Sequence, residues 1–128
     1  MLAESCPKVT FVLQHAGMWE DPSPEGRAAW RAGMARLARC ANVVSKLSGL
    51  GTFIHRNDTA HIGAVLDDTV AIFGADRCLF GSNFPIEKLW TSYRDLIDAY
   101  RAATGRLRSE ERDAIFAATA RRVYRLGP

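Results

Sequence analysis

The stretch Cys78-Leu79-Phe80-Gly81-Ser82-Asn83-Phe84-Pro85 is an apolar triplet that stops abruptly at small and polar residues. The same grammar occurs twice upstream. Val43-Val44-Ser45-Lys46-Leu47 runs into Ser48-Gly49-Leu50-Gly51, and Val9-Thr10-Phe11-Val12-Leu13 runs into Gln14-His15-Ala16-Gly17. Short runs rich in branched and aromatic residues, bounded by turn signals, read as strands buried on both faces, with none of edge character. The runs begin at residues 9, 43 and 78, so they recur at intervals of 34 and 35. That is the period of a strand–helix unit, and such units build parallel sheets through right-handed crossovers.

The intervening segments carry helix signals. Ser23 stands as an N-cap ahead of Pro24 and Glu25, and Trp30, Met34, Leu37 and Ala38 form an apolar stripe. Asp58 or Thr59 caps a second helix with the stripe Ile62, Val65, Leu66, Thr69, Ile72 and Phe73, and Gly74 is placed for a left-handed C-cap. A third helix is expected to carry Trp90, Tyr93, Leu96, Ile97 and Tyr100. A last one opens at Ser109 with Glu110 and Glu111 near its positive end, and buries Ile115, Phe116, Thr119 and Val123. The fold class is therefore α/β: three consecutive βα units with parallel strands plus a C-terminal helix, in one domain over residues 1–128. Three strands are too few to close a (β/α)₈ barrel, which takes about 250 residues. The chain reads as a small open sheet or as part of something larger.

Composition narrows the function. At 48% hydrophobic and 24% charged residues, the 128-residue chain is globular rather than disordered. The net charge of +3 comes mostly from C-terminal arginines. They read as a solvated helix face, because no nucleic-acid reading motif accompanies them. No run approaches the length of a membrane span. Cys6, Cys40 and Cys78 form no metal or redox spacing, which fits free thiols in a reducing, cytoplasmic setting. No phosphate-binding loop, GxGxxG, HExxH or GxSxG is present.

In parallel α/β folds, chemistry is carried at the carboxyl ends of the strands. Here those ends hold His15, then Lys46 and Ser48, then Ser82 and Asn83, with Gly17, Gly49 and Gly51 positioned to let backbone approach a ligand. His15 either works on a substrate, as a base, donor or metal ligand, or caps its strand. Lys46 alternates with Ser45 and points either into the centre or out under a helix. Ser82 and Asn83 bind a ligand or serve the turn before Phe84-Pro85. His55 and His61, six apart, read as surface residues, and Glu20 and Asp21 either reach the site or are the ordinary acidic residues found ahead of a helix.

Taken in order, PKVTFVLQHAGMW, MARLARCANVVSKLSGL, FGADRCLFGSNFPIEKLWTSY and RSEERDAIFAATARRVYRL resemble the C-terminal half of the amidohydrolase-related family, often called amidohydrolase 2. The resemblance covers about residues 7–126. It implies a partial TIM barrel, with the three strands as the sixth, seventh and eighth. It implies a hydrolase of a lactone or related ester or amide, acting on a small-molecule substrate. On it, His15 matches the family's sixth-strand histidine and is the catalytic acid–base group, while Lys46, Ser48, Ser82 and Asn83 bind substrate. Asn83 stands where many members carry a metal-binding aspartate, and the family's first-strand HxH pair has no counterpart among His15, His55 and His61. A divalent metal such as zinc is implied for a complete barrel, with no metal ligand assigned in this chain. Implied partners are a missing N-terminal half or further copies of the chain. The alternatives are a truncated, non-catalytic chain and a small α/β binding module.

Overall fold

The computed structural model describes residues 1–127; Pro128, the last position of the expected domain, lies outside them. Three parallel strands form one sheet in the order β1 (Phe11–Leu13), β2 (Val43–Leu47), β3 (Cys78–Phe80). Phe11, Val12 and Leu13 pair with Val43, Val44 and Ser45, and Ser45, Lys46 and Leu47 pair with Cys78, Leu79 and Phe80. Helices α1 (Leu2–Ser5), α2 (Pro24–Ala38), α3 (Thr59–Phe73) and α4 (Tyr93–Ala103) punctuate the strands. The terminal helix runs from α5 (Ser109–Asp113) through a π-helical stretch (Ala114–Ala118) into α6 (Thr119–Tyr124).

Because side chains alternate across a strand, the register sorts them into two faces. Phe11, Leu13, Val43, Leu47, Cys78 and Phe80 pack into the core shared with the helices, where Met34, Ile62, Leu66, Leu96, Tyr100 and Ile115 are buried. Val12, Val44, Lys46 and Leu79 occupy the opposite face. Caps form where expected: Ser23 Oγ accepts from Gly26 N at 2.9 Å, and Asp58 Oδ1 accepts from His61 N at 3.0 Å. The His61 amide hydrogen bond, ahead of Arg56, holds the Asp58 carboxyl below its ordinary range.

Several expectations need correction. Strand β1 starts at Phe11, not Val9. Phe11 N is the first to reach a partner-strand carbonyl, Asn42 O at 2.8 Å, whereas Val9 N turns back to Cys6 O. The strands are not all interior: β1 and β3 each pair on one side, and the three β1 residues are only partly buried. Gly74 has φ 80° and ψ 148°, an extended glycine conformation rather than a left-handed cap, because it leads straight into a 3₁₀ turn over Ala75–Arg77. Trp90 lies outside α4, which begins at Tyr93 behind the N-cap Ser92. The short helix α1 carries no apolar stripe of helical length and was not expected.

Candidate active site

All three strand ends turn through left-handed backbone, and they do so at the residues that meet. His15, Ala16, Gly17 and Met18 have φ of 54°, 48°, 69° and 56°, Gly49 has 61° and Asn83 has 55°. Non-glycine residues there are strained by about 1–3 kcal/mol each and persist only where surrounding structure holds them. Trp30 provides that hold for the first loop, its Nε1 donating to Ala16 O at 2.8 Å.

A Cβ on Gly49 would stand 2.7 Å from His15 Nδ1 and 3.0 Å from Asn83 Nδ2, so the bare glycine is what lets the imidazole and the amide flank the same point. The strand-end glycines thus admit protein side chains: a Cβ on Gly51 would meet Trp90 Nε1 at 2.8 Å, and one on Gly17 would meet Met34 Sδ at 3.0 Å. His15 Nδ1 lies 3.1 Å from Ser48 O and 2.9 Å from Ser48 Oγ. A carbonyl only accepts, so Nδ1 carries the proton and donates, and Nε2 is left as the ring's acceptor. Ser48 is 1% exposed. It stands behind His15 as a support, a different contact from the substrate-binding one expected of it.

Lys46 shares with Leu79 the face opposite the helix-packed core, the inward of its two readings. Its stem crosses Gly81, where a Cβ would stand 2.5 Å from Lys46 Cε. Ser82 Oγ accepts from Phe84 N at 3.3 Å, a turn contact. Asn83 Nδ2 donates to Glu87 Oε1 at 3.1 Å, and Trp90 Nε1 donates to Glu87 Oε2 at 2.6 Å. Glu87 was not singled out from the sequence. The available signal was spacing: Asn83 and Glu87 are four apart and Glu87 and Trp90 three apart, the separations that meet on one helical turn.

The histidines divide. His55 is exposed, as expected, and stacks on Trp90 at 5.6 Å. His61 is not a plain surface residue. It stacks on Trp19 at 5.3 Å and lines a narrow cleft with His15, Trp19, Gly49, Leu50 and Phe53. Burial pushes the His61 imidazole below its ordinary range, against the opposing pull of Asp58. Asp21 Oδ1 accepts from Ser23 N at 2.9 Å, a local contact just ahead of α2.

The donors of this chain do not make a metal site. His15 offers one ring nitrogen, Asn83 is a neutral amide, and both oxygens of Glu87 are engaged by N–H donors. Among the described residues no three His, Cys, Asp or Glu side chains gather to hold a metal. No helix among them is long and apolar enough to cross a membrane.

The family model described as Amidohydrolase matches residues 1–126. An uncharacterized protein of Sinorhizobium fredii is 37% identical over 125 residues, 98% of this chain and 42% of that protein. An L-fucono-1,5-lactonase of Burkholderia multivorans is 37% identical over 127 residues, 91% of this chain and 43% of that protein. A crystal structure of a Burkholderia multivorans amidohydrolase with bound zinc superposes with a TM-score of 0.89 at 35% identity, covering 98% of this chain and 47% of its own. The chain therefore spans less than half the length of the relatives it matches. A match over nearly all of its residues, in sequence and in strand-by-strand structure, leaves one conclusion: the chain belongs to the amidohydrolase family, as part of a (β/α) barrel of that family.

Proposed function

We propose that these residues form one side of the active site of a lactone hydrolase, on a single domain corresponding to the sixth to eighth strands of the barrel. The observation that carries the reading is His15, whose imidazole and the Asn83 amide flank Gly49, with Nδ1 fixed on the Ser48 carbonyl and Nε2 left as the ring's acceptor. The lactonase name of a relative at 37% identity supports a sugar lactone as the substrate class.

In this reading His15 Nε2 takes a proton from the water that attacks the lactone carbonyl carbon. As the tetrahedral centre collapses, the ring C–O bond breaks and the same imidazole returns the proton to the leaving alkoxide, which gives the open hydroxy acid. Such positioned proton transfer contributes about 10² to 10⁴ in rate. Lys46, on the face opposite the helix-packed core, supplies positive charge for a carbonyl oxygen or the product carboxylate. Asn83 and Ser82 orient the substrate, and Ser48 positions His15. A cytoplasmic location fits the three free cysteines. The partner is the complementary barrel half, closing against the open edges of β1 and β3. An apolar groove along the β1 edge, lined by Leu2, Phe11, Leu13, Leu37 and Val43, supports it.

The test is hydrolysis of L-fucono-1,5-lactone by the protein and by His15→Ala. A fall of kcat/KM by about 100-fold or more is expected. An unchanged kcat/KM would remove His15 from the chemistry, and no hydrolysis by the unaltered protein would remove the lactone.

A further inference from the structure

Glu87 is a carboxylate 1% exposed to solvent, yet no arginine or lysine pairs with it among the described residues. Its two oxygens each accept an N–H, one from Asn83 Nδ2 at 3.1 Å and one from Trp90 Nε1 at 2.6 Å. With Glu87 ionised both of its oxygens only accept, and the Asn83 amide then presents its nitrogen to Oε1. The opposite amide orientation would set oxygen against oxygen. Asn83 sits at φ 55°, and its Nδ2 lies 3.0 Å from where a Gly49 Cβ would be. Gly51 keeps the space beside Glu87 open, since a Cβ there would stand 3.2 Å from Oε2. Asn83 Oδ1 accepts no hydrogen bond among the described residues and is not one of the buried unpaired atoms, so it meets solvent.

We propose that Glu87 is a positioning residue that locks Asn83 so that Oδ1 is presented as a pure acceptor, and that this corner recognises a ligand hydroxyl. An amide free to turn would serve a hydroxyl, a carbonyl or an oxyanion alike. One held by a buried carboxylate favours a donor, and it rewards a polyhydroxylated substrate over a bare one. This deepens the lactone reading and rests on it for the class of ligand. The positioning of Asn83 by Glu87 stands apart from that reading.

The variant Glu87→Gln separates the two. Glutamine offers one acceptor and one donor, so it cannot accept from both Asn83 and Trp90. In nitrogen–proton correlation spectra of the whole chain, the Asn83 side-chain protons should exchange with water about tenfold more slowly than those of exposed Gln14. Glu87→Gln should bring Asn83 to the Gln14 rate and move the Trp90 indole signal. The ligand probes are L-fuconate, the open acid of the lactone, and hexanoate, a six-carbon acid without hydroxyls. The variant should weaken L-fuconate by about tenfold, the worth of one hydrogen bond, and leave hexanoate unchanged. Equal exchange of Asn83 and Gln14 in the unaltered chain overturns the positioning. Equal losses for the two acids overturn hydroxyl recognition. If L-fuconate fails to bind the unaltered chain, the lactone reading and the hydroxyl clause fall together, and the exchange rates still judge Glu87. If Glu87→Gln does not fold, the Asn83–Gln14 comparison decides the positioning. Asn83→Ala, read with the two acids, then decides the recognition.

Discussion

The two ends of the sheet use polar side chains in opposite ways. At the amino end, Asn42 Nδ2 donates to the carbonyls of Ala3, Cys6 and Val9, and Arg77 donates to those of Phe73, Ala38 and Cys40. The donors of each side chain close loop backbone, each reaching three main-chain carbonyls. At the carboxyl end, polar groups bond one another and keep one face unspent: His15 retains Nε2 and Asn83 retains Oδ1. The backbone differs too, relaxed around Asn42 and left-handed at His15, Gly49 and Asn83. Strain and unfilled hydrogen-bonding capacity in one place mark a site, whereas saturated carbonyls mark a support.

The contrast can be broken by experiment. Arg77→Ala should cost about 2–3 kcal/mol in urea unfolding, because three carbonyls lose a charged donor, and should leave the His15 ring signals in place. A loss below about 0.5 kcal/mol would mean that the amino end is not the supporting end. Gly49→Ala should cost about 2 kcal/mol, through a left-handed backbone and a Cβ pressed on His15, and should displace the His15 and Asn83 signals together. His15→Gly should change stability by less than about 1 kcal/mol, because relief of a left-handed residue offsets the lost bond to Ser48. On the proposed lactone reading it should still abolish hydrolysis, and a large loss of stability there would make His15 a structural residue.

Smaller effects sharpen the same picture. Ser45 Oγ is buried without a partner on the helix-facing side of β2. Ser45→Ala should therefore raise stability by about 0.5–1 kcal/mol, a gain no polar residue of the site should show. His61 gives the least. Burial lowers its folded value below the ordinary 6.5, so the unfolded chain binds the proton more readily. Its contribution to stability is therefore full above that range and declines as pH falls through it. His61→Phe should flatten that part of the stability–pH curve, and an unaltered slope would place the imidazole in solvent.

The strand pattern was legible because each buried run is short, apolar and closed by glycine or proline. Only β1 was overextended, since Val9 is apolar but has no partner-strand carbonyl within reach. The caps Ser23 and Asp58 were legible because a short polar side chain before a helix has one dominant use. Trp90 was misplaced for a related reason: it falls on the stripe of α4 by spacing, but its indole follows the buried Glu87. Local sequence thus carried the class of the fold and the strand ends where chemistry would gather. His15, Lys46, Ser82 and Asn83 stand out as polar residues directly after apolar runs.

What no local pattern carries is which of those groups face each other, and with which atom. That Gly49 admits an imidazole and an amide, and that Ser48 settles the His15 tautomer, depend on loops meeting from strands about thirty residues apart. Hydrophobic periodicity is a property of neighbours along the chain and survives in one dimension. Hydrogen-bond direction and close approach are properties of neighbours in space, and they exist only once the sheet has brought its three ends together.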